Sequence, residues 1–356
     1  MGPIAVHVLR LPAGAEGIVV IDNLALGPAI GGVRLSSTVT TAEVARLARA
    51  MTIKSAVAGL AHGGGKSGIR VLKPLAAIDR ERVIRAFANA IRHLVDYIPG
   101  PDMGTDETAM AWIHDEIGRA VGLPAVLGGI PLDQIGATGY GLAECAEALA
   151  SAGWLYVAGA RVAVHGFGAV GRHAALQLAA RGARVVAVAD KTGAVYDPDG
   201  LDVPGLAAFT QDQPICEYHD AKPITGDDLL AVDCDVLVPA AVTDVLHEGN
   251  ADLVRAKVVL QGANLPVTAA GEAILARRGI LSIPDVVANA GGVICASVEY
   301  RGGTRPQAFT AIAERIRENT AELIDRVISG QVLPSEAAAA MARARLTAAA
   351  AYRRSF

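Results

Sequence analysis

The sequence predicts an α/β chain of two domains, the second built on a doubly wound sheet. Three observations carry this. The chain has 356 residues, enough for two cores of ordinary size. Its composition, 52% hydrophobic with a net charge of −4, is that of a globular protein. From about Gly136 onward, short apolar strands alternate with helical stretches, the rhythm of parallel strands covered on both faces. The first domain is expected over 1–135, completed by C-terminal helices at about 315–356, and the second over 136–314.

The elements read in order as follows. Residues 17–22 (GIVVID) are β-branched and apolar and predict a strand. The stretch 27–37 (GPAIGGVRLSS) reads as a Gly-rich loop leading to a helix that opens at Thr41, with Thr40 or Thr41 as N-cap. In that helix Val44, Leu47, Ala48 and Met51 share a face. A second Gly-rich turn is expected at 62–69 (HGGGKSGI), then a long amphipathic stretch at 78–96 and a loop at 97–107 (YIPGPDMGTDE). Residues 108–120 look helical, and 127–141, rich in Gly, Pro and Asp, read as an interdomain connection. Helices near 138–152 and 169–182 then bracket the strand RVAVHGF, and ARVVAVAD (183–190) follows. Buried strands are expected within 233–240, 256–264 and 280–289. The tail from about 309 is nearly all helix, its last segment opening at Pro334 and Ser335 and ending in Ala- and Arg-rich turns.

Composition excludes several functions. No basic tract invites nucleic acid or anionic lipid. The N-terminus lacks the basic and apolar regions of a signal peptide, and no run of some 18 apolar residues suggests a membrane span. Cys145, Cys216, Cys234 and Cys295 lie far apart without a CxxC pair, and the 8 histidines are scattered. That pattern suits a reducing, cytoplasmic setting and gives neither a disulfide framework nor a metal site.

One motif carries a ligand. HGFGAVG contains Gly166, Gly168 and Gly171 in GxGxxG spacing. The string alone is common; its setting is not. It follows an apolar strand, opens a helix, and is followed by a second strand ending at Asp190, 24 residues beyond Gly166. This is the Rossmann-like dinucleotide fingerprint. Gly166 permits the turn, Gly168 admits a pyrophosphate, and Gly171 lets helix and strand pack closely. The helix start at Ala169 and Val170 offers free N–H groups to phosphate. Asp190 would accept the ribose hydroxyls of NAD, while Lys191 and Thr192 leave room for the extra phosphate of NADP.

Three residues of the first domain suit a small anionic substrate. Lys54 flanks the apolar stripe of its helix, and a lysine turned inward is costly unless it meets an anion. Lys66 follows three glycines, among them Gly64, which bring the backbone close to anything bound. Asp102 stands in a Gly- and Pro-rich loop. Taken singly, each has an ordinary explanation: a snorkelling lysine, a solvated lysine and a turn-forming Asp.

Their surroundings decide otherwise. MTIKSAVAGLAHGGGKSGI (51–69), with its two lysines twelve residues apart, resembles the signature of the glutamate/leucine/phenylalanine/valine dehydrogenase family. GPAIGGVR, GPDMGT (100–105), ATGYG (137–141), QGAN (261–264) and PDVVANAGGV (284–293) resemble family motifs in the same order. The likeness runs from about residue 17 to past 300. It implies an NAD(P)-dependent L-amino-acid dehydrogenase with an N-terminal α/β substrate and oligomerisation domain and a Rossmann-like doubly wound nucleotide-binding domain. It further implies that Lys54 binds the substrate α-carboxylate, Lys66 polarises the reacting carbonyl and water, and Asp102 is the general acid/base. Asn289 would serve carboxylate or nicotinamide, Thr138 the nicotinamide amide, and Asn264 its ribose. Ala240 and Gln261 would join the coenzyme contacts. Hydride loss from Cα, water addition to the iminium and departure of ammonia need such an anchor, electrophile and base in a cleft closed to water. A hinge is expected near Gly136–Gly139. A homo-oligomer is expected by analogy alone.

The side chain acted on is read from four positions. Family members that oxidise glutamate hold its side-chain carboxylate with a lysine in the GP-x-K-GG loop and a serine after NAGGV. Ile30 stands at the first position here and Ala296 at the second. A γ-carboxylate buried there without a partner costs several kcal/mol, whereas an apolar side chain gains from burial. With Gly100 and Val293 the pocket reads as apolar, favouring a branched-chain or aromatic amino acid. Against this, DKTGAVYDPDGLD (190–202) and SVEY (297–300) resemble the glutamate members, and Ser297 lies one place from the serine position. Glutamate is the alternative substrate, and a non-catalytic NAD-binding protein a more distant one.

Overall fold

The structure, a computed structural model, describes residues 2–73 and 75–352. The Arg-rich end of the tail lies outside the described residues. The chain forms two compact units, one of residues 1–132, 293–308 and 339–356, the other of 133–292 and 309–338.

The first unit holds β1 (Ala5–Arg10), β2 (Glu16–Asn23), β3 (Ala29–Ser36), α1 (Thr41–Val57), β4 (Gly63–Arg70), α2 (Ala77–Ala90), β5 (Tyr97–Pro101) and α3 (Glu107–Ile117). Its strands form one mixed sheet in the order β1-β2-β4-β3-β5. β1, β2 and β4 pair antiparallel, and β3 pairs parallel with both β4 and β5. The period of two along β2 explains both faces. Val19 and Ile21 face the core made with Val83, Ile84 and Phe87 of α2 and Met110 and Ile113 of α3. Ile18 and Val20 face Val44 and Ala48 of α1. Thr40 is the N-cap of α1, its hydroxyl accepting from the Glu43 N–H.

Two segments expected as Gly-rich loops, 27–37 and 62–69, are instead β3 and β4, neighbours in the middle of the sheet. Glycine weakens a strand unless something must approach its backbone closely, and here both faces require that. A Cβ on Gly64 would lie 2.2 Å from the Thr52 N and Oγ1 of α1, and one on Gly65 would lie 2.9 Å from the Tyr97 ring. Tertiary packing therefore overrides local propensity.

The second unit begins with α4 (Ala137–Ser151), β6 (Arg161–His165), α5 (Ala169–Ala180), β7 (Arg184–Asp190), β8 (Gly193–Tyr196) and α6 (Val203–Phe209). It continues with β9 (Lys222–Ile224), α7 (Gly226–Leu230), β10 (Val236–Pro239), β11 (Val258–Leu260), α8 (Ala269–Arg277), β12 (Leu281–Ile283) and α9 (Asp285–Ala288). Its sheet runs β12-β11-β10-β6-β7-β8-β9. The first five strands are parallel, as the apolar runs predict; β8 and β9 extend them antiparallel. The extension follows from a short reversal at Lys191–Thr192, which pairs Asp190 with Gly193.

α10 (Gly291–Tyr300), α11 (Arg305–Gly330) and α12 (Pro334–Ala350) complete the chain. Their assignment to units differs from the expected 315–356 block. The buried carboxylate of Glu144 takes Arg317 of α11 at 2.6 Å, and Ser335 bonds Glu272, so 309–338 belongs to the second unit. Arg345 of α12 donates to the carbonyls of Ala56 and Val57 at the end of α1, holding the last helix to the first unit. Residues 293–308 also join the first unit, through Glu299. No helix among the described residues is long and apolar enough to cross a membrane.

Candidate active site

In the first unit β3, β4 and the end of β5 bring charged side chains together. Lys66 on β4 and Asp102, just beyond β5, form an ion pair with Nζ 2.9 Å from Oδ2. Arg34 on β3 takes the same oxygen with its Nε at 2.9 Å, and its other arm meets Glu43 Oε1 of α1 at 2.6 Å. Both contacts on Asp102 fall on Oδ2. The site exists because Gly32 stands beneath it: a Cβ there would lie 2.7 Å from Asp102 Cβ and 3.0 Å from Lys66 Nζ. Thr105 fixes the loop, its hydroxyl accepting from the Asp102 N–H at 3.0 Å and donating to the Val33 carbonyl at 2.8 Å.

Lys66 is only 7% exposed. Burial pushes its amine below the ordinary lysine value; Asp102 pulls it up in part, and Arg34 pushes it down again. Burial alone would raise the Asp102 carboxyl, but Lys66 and Arg34 outweigh it and hold the group below the usual carboxylate range. A buried lysine prone to lose its proton beside a carboxylate that keeps its charge is a fit arrangement for proton transfer.

Lys54 is likewise buried, on α1 two residues beyond the Thr52 that packs against Gly64. Ile30, 2% exposed, pairs with Gly64 across β3 and β4. Gly100 lies on β5 opposite Gly32, its Cα side against Val121. Val293 and Ala296 are buried on one face of α10, and Ser297 is buried beside them. α10 is pinned by Glu299, whose carboxylate accepts from the Gly122 N–H at 2.8 Å and the Leu123 N–H at 3.0 Å. At its end Tyr300 meets the His62 ring edge-on at 5.5 Å, and His62 Nδ1 bonds the Pro28 carbonyl at 3.3 Å, two residues before Ile30. Sequence reasoning missed Arg34, Glu43 and Glu299. Arg34 closes the GPAIGGVR string and Glu299 lies in the SVEY string, both already singled out; Glu43 belongs to neither.

In the second unit a cavity of about 470 Å³ is lined by His165, Gly166, Phe167, Gly168, Ala189, Asp190, Lys191, Ala240, Ala241 and Val242. Five of these were expected. α5 opens there without a side-chain cap, leaving the N–H groups of Ala169, Val170 and Gly171 to a ligand. The backbone fits a pyrophosphate: a Cβ at Gly171 would lie 1.7 Å from the Gly166 carbonyl, while one at Gly168 meets nothing within 4 Å. The residues present thus suit a dinucleotide. Asp190 Oδ1 accepts from the Thr192 N–H at 2.7 Å and hydroxyl at 2.6 Å.

A second group lies near Ala240, which a Cβ on Gly262 would approach to 3.0 Å. Asn289 donates to the Gly262 carbonyl, joining the NAGG turn to the loop of Asn264. Thr138 backs onto Gly291, where a Cβ would lie 3.1 Å from its Cα. The Gln261 side chain is engaged within the fold. It is buried, its amide donating to Ser282 Oγ at 3.0 Å and accepting from the Asp285 N–H at 3.2 Å, so it braces the strand ends instead of facing the cavity. No cluster of His, Cys, Asp and Glu among the described residues could hold a metal ion.

Comparison with known proteins agrees with this geometry. The family model described as Glu/Leu/Phe/Val dehydrogenase, dimerisation domain, matches residues 6–119. That of Glutamate/Leucine/Phenylalanine/Valine dehydrogenase matches 128–354. A glutamate dehydrogenase of Thermotoga maritima is 41% identical over 299 residues, 80% of this chain and 72% of that protein. One of Aeropyrum pernix is 39% identical over 322 residues, 85% of this chain and 77% of that protein. Among solved structures, the hetero-hexameric glutamate dehydrogenase of Thermus thermophilus, leucine-bound, superposes with a TM-score of 0.89 at 32% identity, covering 99% of this chain and 91% of that one. The L-tryptophan dehydrogenase of Nostoc punctiforme shares the fold, with a TM-score of 0.76 at 23% identity over 98% and 97% of the two chains. With its buried Lys66–Asp102 pair, its dinucleotide cavity and two family models spanning most of its length, this chain belongs to the glutamate/leucine/phenylalanine/valine dehydrogenase family.

Proposed function

We propose that this NAD(P)-dependent amino-acid dehydrogenase converts an L-amino acid with an apolar side chain, branched or aromatic, reversibly to its 2-oxoacid and ammonia. Ile30 carries the choice of side chain. It is buried on β3, paired with Gly64 two residues from Lys66, and the family resemblance matches it to the lysine that holds the γ-carboxylate in glutamate-oxidising members. Ala296, also buried, supports the same reading. Neither supplies the hydrogen bonds that a buried carboxylate requires.

A bound nicotinamide coenzyme would supply the hydride acceptor that oxidation at the substrate Cα requires. Lys54 anchors the α-carboxylate. Lys66 polarises the reacting carbonyl and the attacking water. Asp102, through Oδ1, takes a proton from the attacking water and returns one to the departing amine. Thr138, Asn264 and Asn289 serve the nicotinamide end, and Gly166, Gly168, Ala169, Val170, Gly171, Asp190, Lys191 and Ala240 the rest of the coenzyme.

A second reading, L-glutamate as substrate, is favoured by the names of curated relatives: four that are 38–41% identical are all named glutamate dehydrogenases. Oxidation of L-leucine, L-phenylalanine, L-tryptophan and L-glutamate by the purified protein, each with NAD and with NADP, separates the two. Faster turnover of any of the first three supports the apolar side chain. A dominant rate with L-glutamate overturns it in favour of the second reading.

A further inference from the structure

We propose that Arg34 is a positioning residue of the reaction, clamping one oxygen of Asp102 so that the other is presented as the base. This rests on the catalytic roles assigned to Lys66 and Asp102 above.

The geometry supplies the clamp. Arg34 Nε and Lys66 Nζ both lie 2.9 Å from Asp102 Oδ2. A carboxylate gripped twice through one oxygen has its second oxygen fixed in direction, and Oδ1 is then the atom left for water or amine. Arg34 is itself held. Its second arm meets Glu43 Oε1 at 2.6 Å, and Glu43 sits in the first turn of α1, whose N-terminal partial charge favours an acid there. Strand β3 and helix α1 thus orient the guanidinium from two sides, a fixed fork that no lysine reproduces. Arg34 and Asp102 side chains are each only 15% exposed, so water screens them little.

The consequence for Lys66 is electrostatic. Among the described residues, ionisable groups that bear on this cluster include Asp102 beyond β5, Arg34 on β3, Glu43 on α1 and, beside Asp102, the Tyr97 phenol on β5. Asp102 and Glu43 favour the charged amine, and Arg34 opposes it. Without Arg34, Lys66 would face Asp102 and Glu43 without the guanidinium that opposes them. Its proton would be held more tightly, and less of the neutral amine would exist at neutral pH.

The test compares Arg34→Gln and Arg34→Lys with wild type, using whichever of L-leucine, L-phenylalanine, L-tryptophan and L-glutamate wild type oxidises fastest. In parallel, the pH dependence of Lys66 acetylation by acetic anhydride is followed by peptide mass spectrometry, a readout that needs no turnover. Arg34→Gln should lower kcat by about 100-fold, the usual cost of a misplaced catalytic group. It should raise the pH midpoint of Lys66 labelling by roughly one unit or more. Arg34→Lys should recover part of kcat and nearly all of the labelling midpoint, since charge is kept while the fork is lost. Wild-type kcat with an unmoved midpoint in Arg34→Gln overturns the proposal. Should that variant fail to bind NADH or to fold, Arg34→Lys decides: wild-type kcat overturns the proposal, and a several-fold loss with the midpoint kept upholds it. A wild type inactive on all four amino acids refutes the proposed function; a midpoint shift in Arg34→Gln would still uphold the part of Arg34 in setting Lys66.

Discussion

Replacing Gly32 by alanine adds one methyl group at the floor of the proposed catalytic pair, Lys66 and Asp102. That methyl would lie 2.7 Å from Asp102 Cβ, 2.7 Å from the Pro101 carbonyl oxygen and 3.0 Å from Lys66 Nζ. Ordinary contact begins near 3.4 Å, so the Asp102 backbone must retreat by about 0.7 Å, the difference from 2.7 Å. Lys66 can swing aside, but Asp102 is tied through Thr105 to Val33 and cannot move alone. Overpacking of this kind costs about 1–3 kcal/mol of stability. A displacement approaching 1 Å in a catalytic group costs on the order of 100-fold in rate. The expected result is therefore a kcat lowered about 100-fold in a protein whose Tm falls by several degrees and whose NADH affinity, set in the second unit, is unchanged. Steady-state kinetics, a thermal melt and a fluorescence titration with NADH measure the three quantities. A Gly32→Ala protein with wild-type kcat would show that Lys66 and Asp102 need not stay at this separation, and the proposed division of labour between them would fall.

Lys66→Ala should abolish turnover and leave NAD(H) binding nearly intact, whereas Lys54→Ala should chiefly raise KM for the 2-oxoacid; an unchanged KM removes Lys54 as the carboxylate anchor. For wild type, kcat/KM for amino-acid oxidation should rise with pH through a midpoint below the roughly 10.4 of free lysine, because burial lowers the Lys66 pKa. A midpoint at or above that value contradicts the reading. The Asp102 carboxyl is held low, so its paired charge stabilises the fold above the unfolded pKa of about 3.9 and is lost as pH falls through the lower folded value. An acid-unfolding midpoint that Asp102→Asn leaves unmoved would argue against this. Thr192→Val removes the hydroxyl bonds to Asp190 Oδ1 and from the Ile215 N–H. The bond that orients Asp190 is worth about 1 kcal/mol, so NADH affinity should fall about fivefold while NADPH affinity changes less than twofold; equal losses would deny Asp190 a part in coenzyme choice.

Much of this was legible from residue order alone. The strand–glycine–helix unit at 161–180 and the acid at Asp190 form a local pattern, and the structure gathers Gly166, Gly168, Asp190, Lys191 and Ala240 around one cavity. The helix at Thr41 announced itself by its cap and apolar face. β3 and β4 did not, because local preference argues for a loop wherever glycines crowd, and only the neighbours Thr52 and Tyr97 explain why no side chain fits. Gln261 was placed by its motif, but its two hydrogen bonds depend on Ser282 and Asp285, more than twenty residues away. Arg34 and Glu43 stand nine residues apart with nothing local to link them; the strand and helix that bring them together set the link. The C-terminal helices divide between the units for the same reason, since Arg317 and Arg345 find their partners, Glu144 and the end of α1, only in the folded chain.

The account turns on the pocket around Ile30. Reductive amination of 4-methyl-2-oxopentanoate, phenylpyruvate, indolepyruvate and 2-oxoglutarate, with ammonium and either NADH or NADPH, tests it most directly. Since Ile30 and Ala296 offer no hydrogen bond to a second carboxylate, a penalty of a few kcal/mol predicts that the best apolar 2-oxoacid exceeds 2-oxoglutarate in kcat/KM by at least about 100-fold. A kcat/KM for 2-oxoglutarate equal to or above that of every apolar 2-oxoacid would contradict the account.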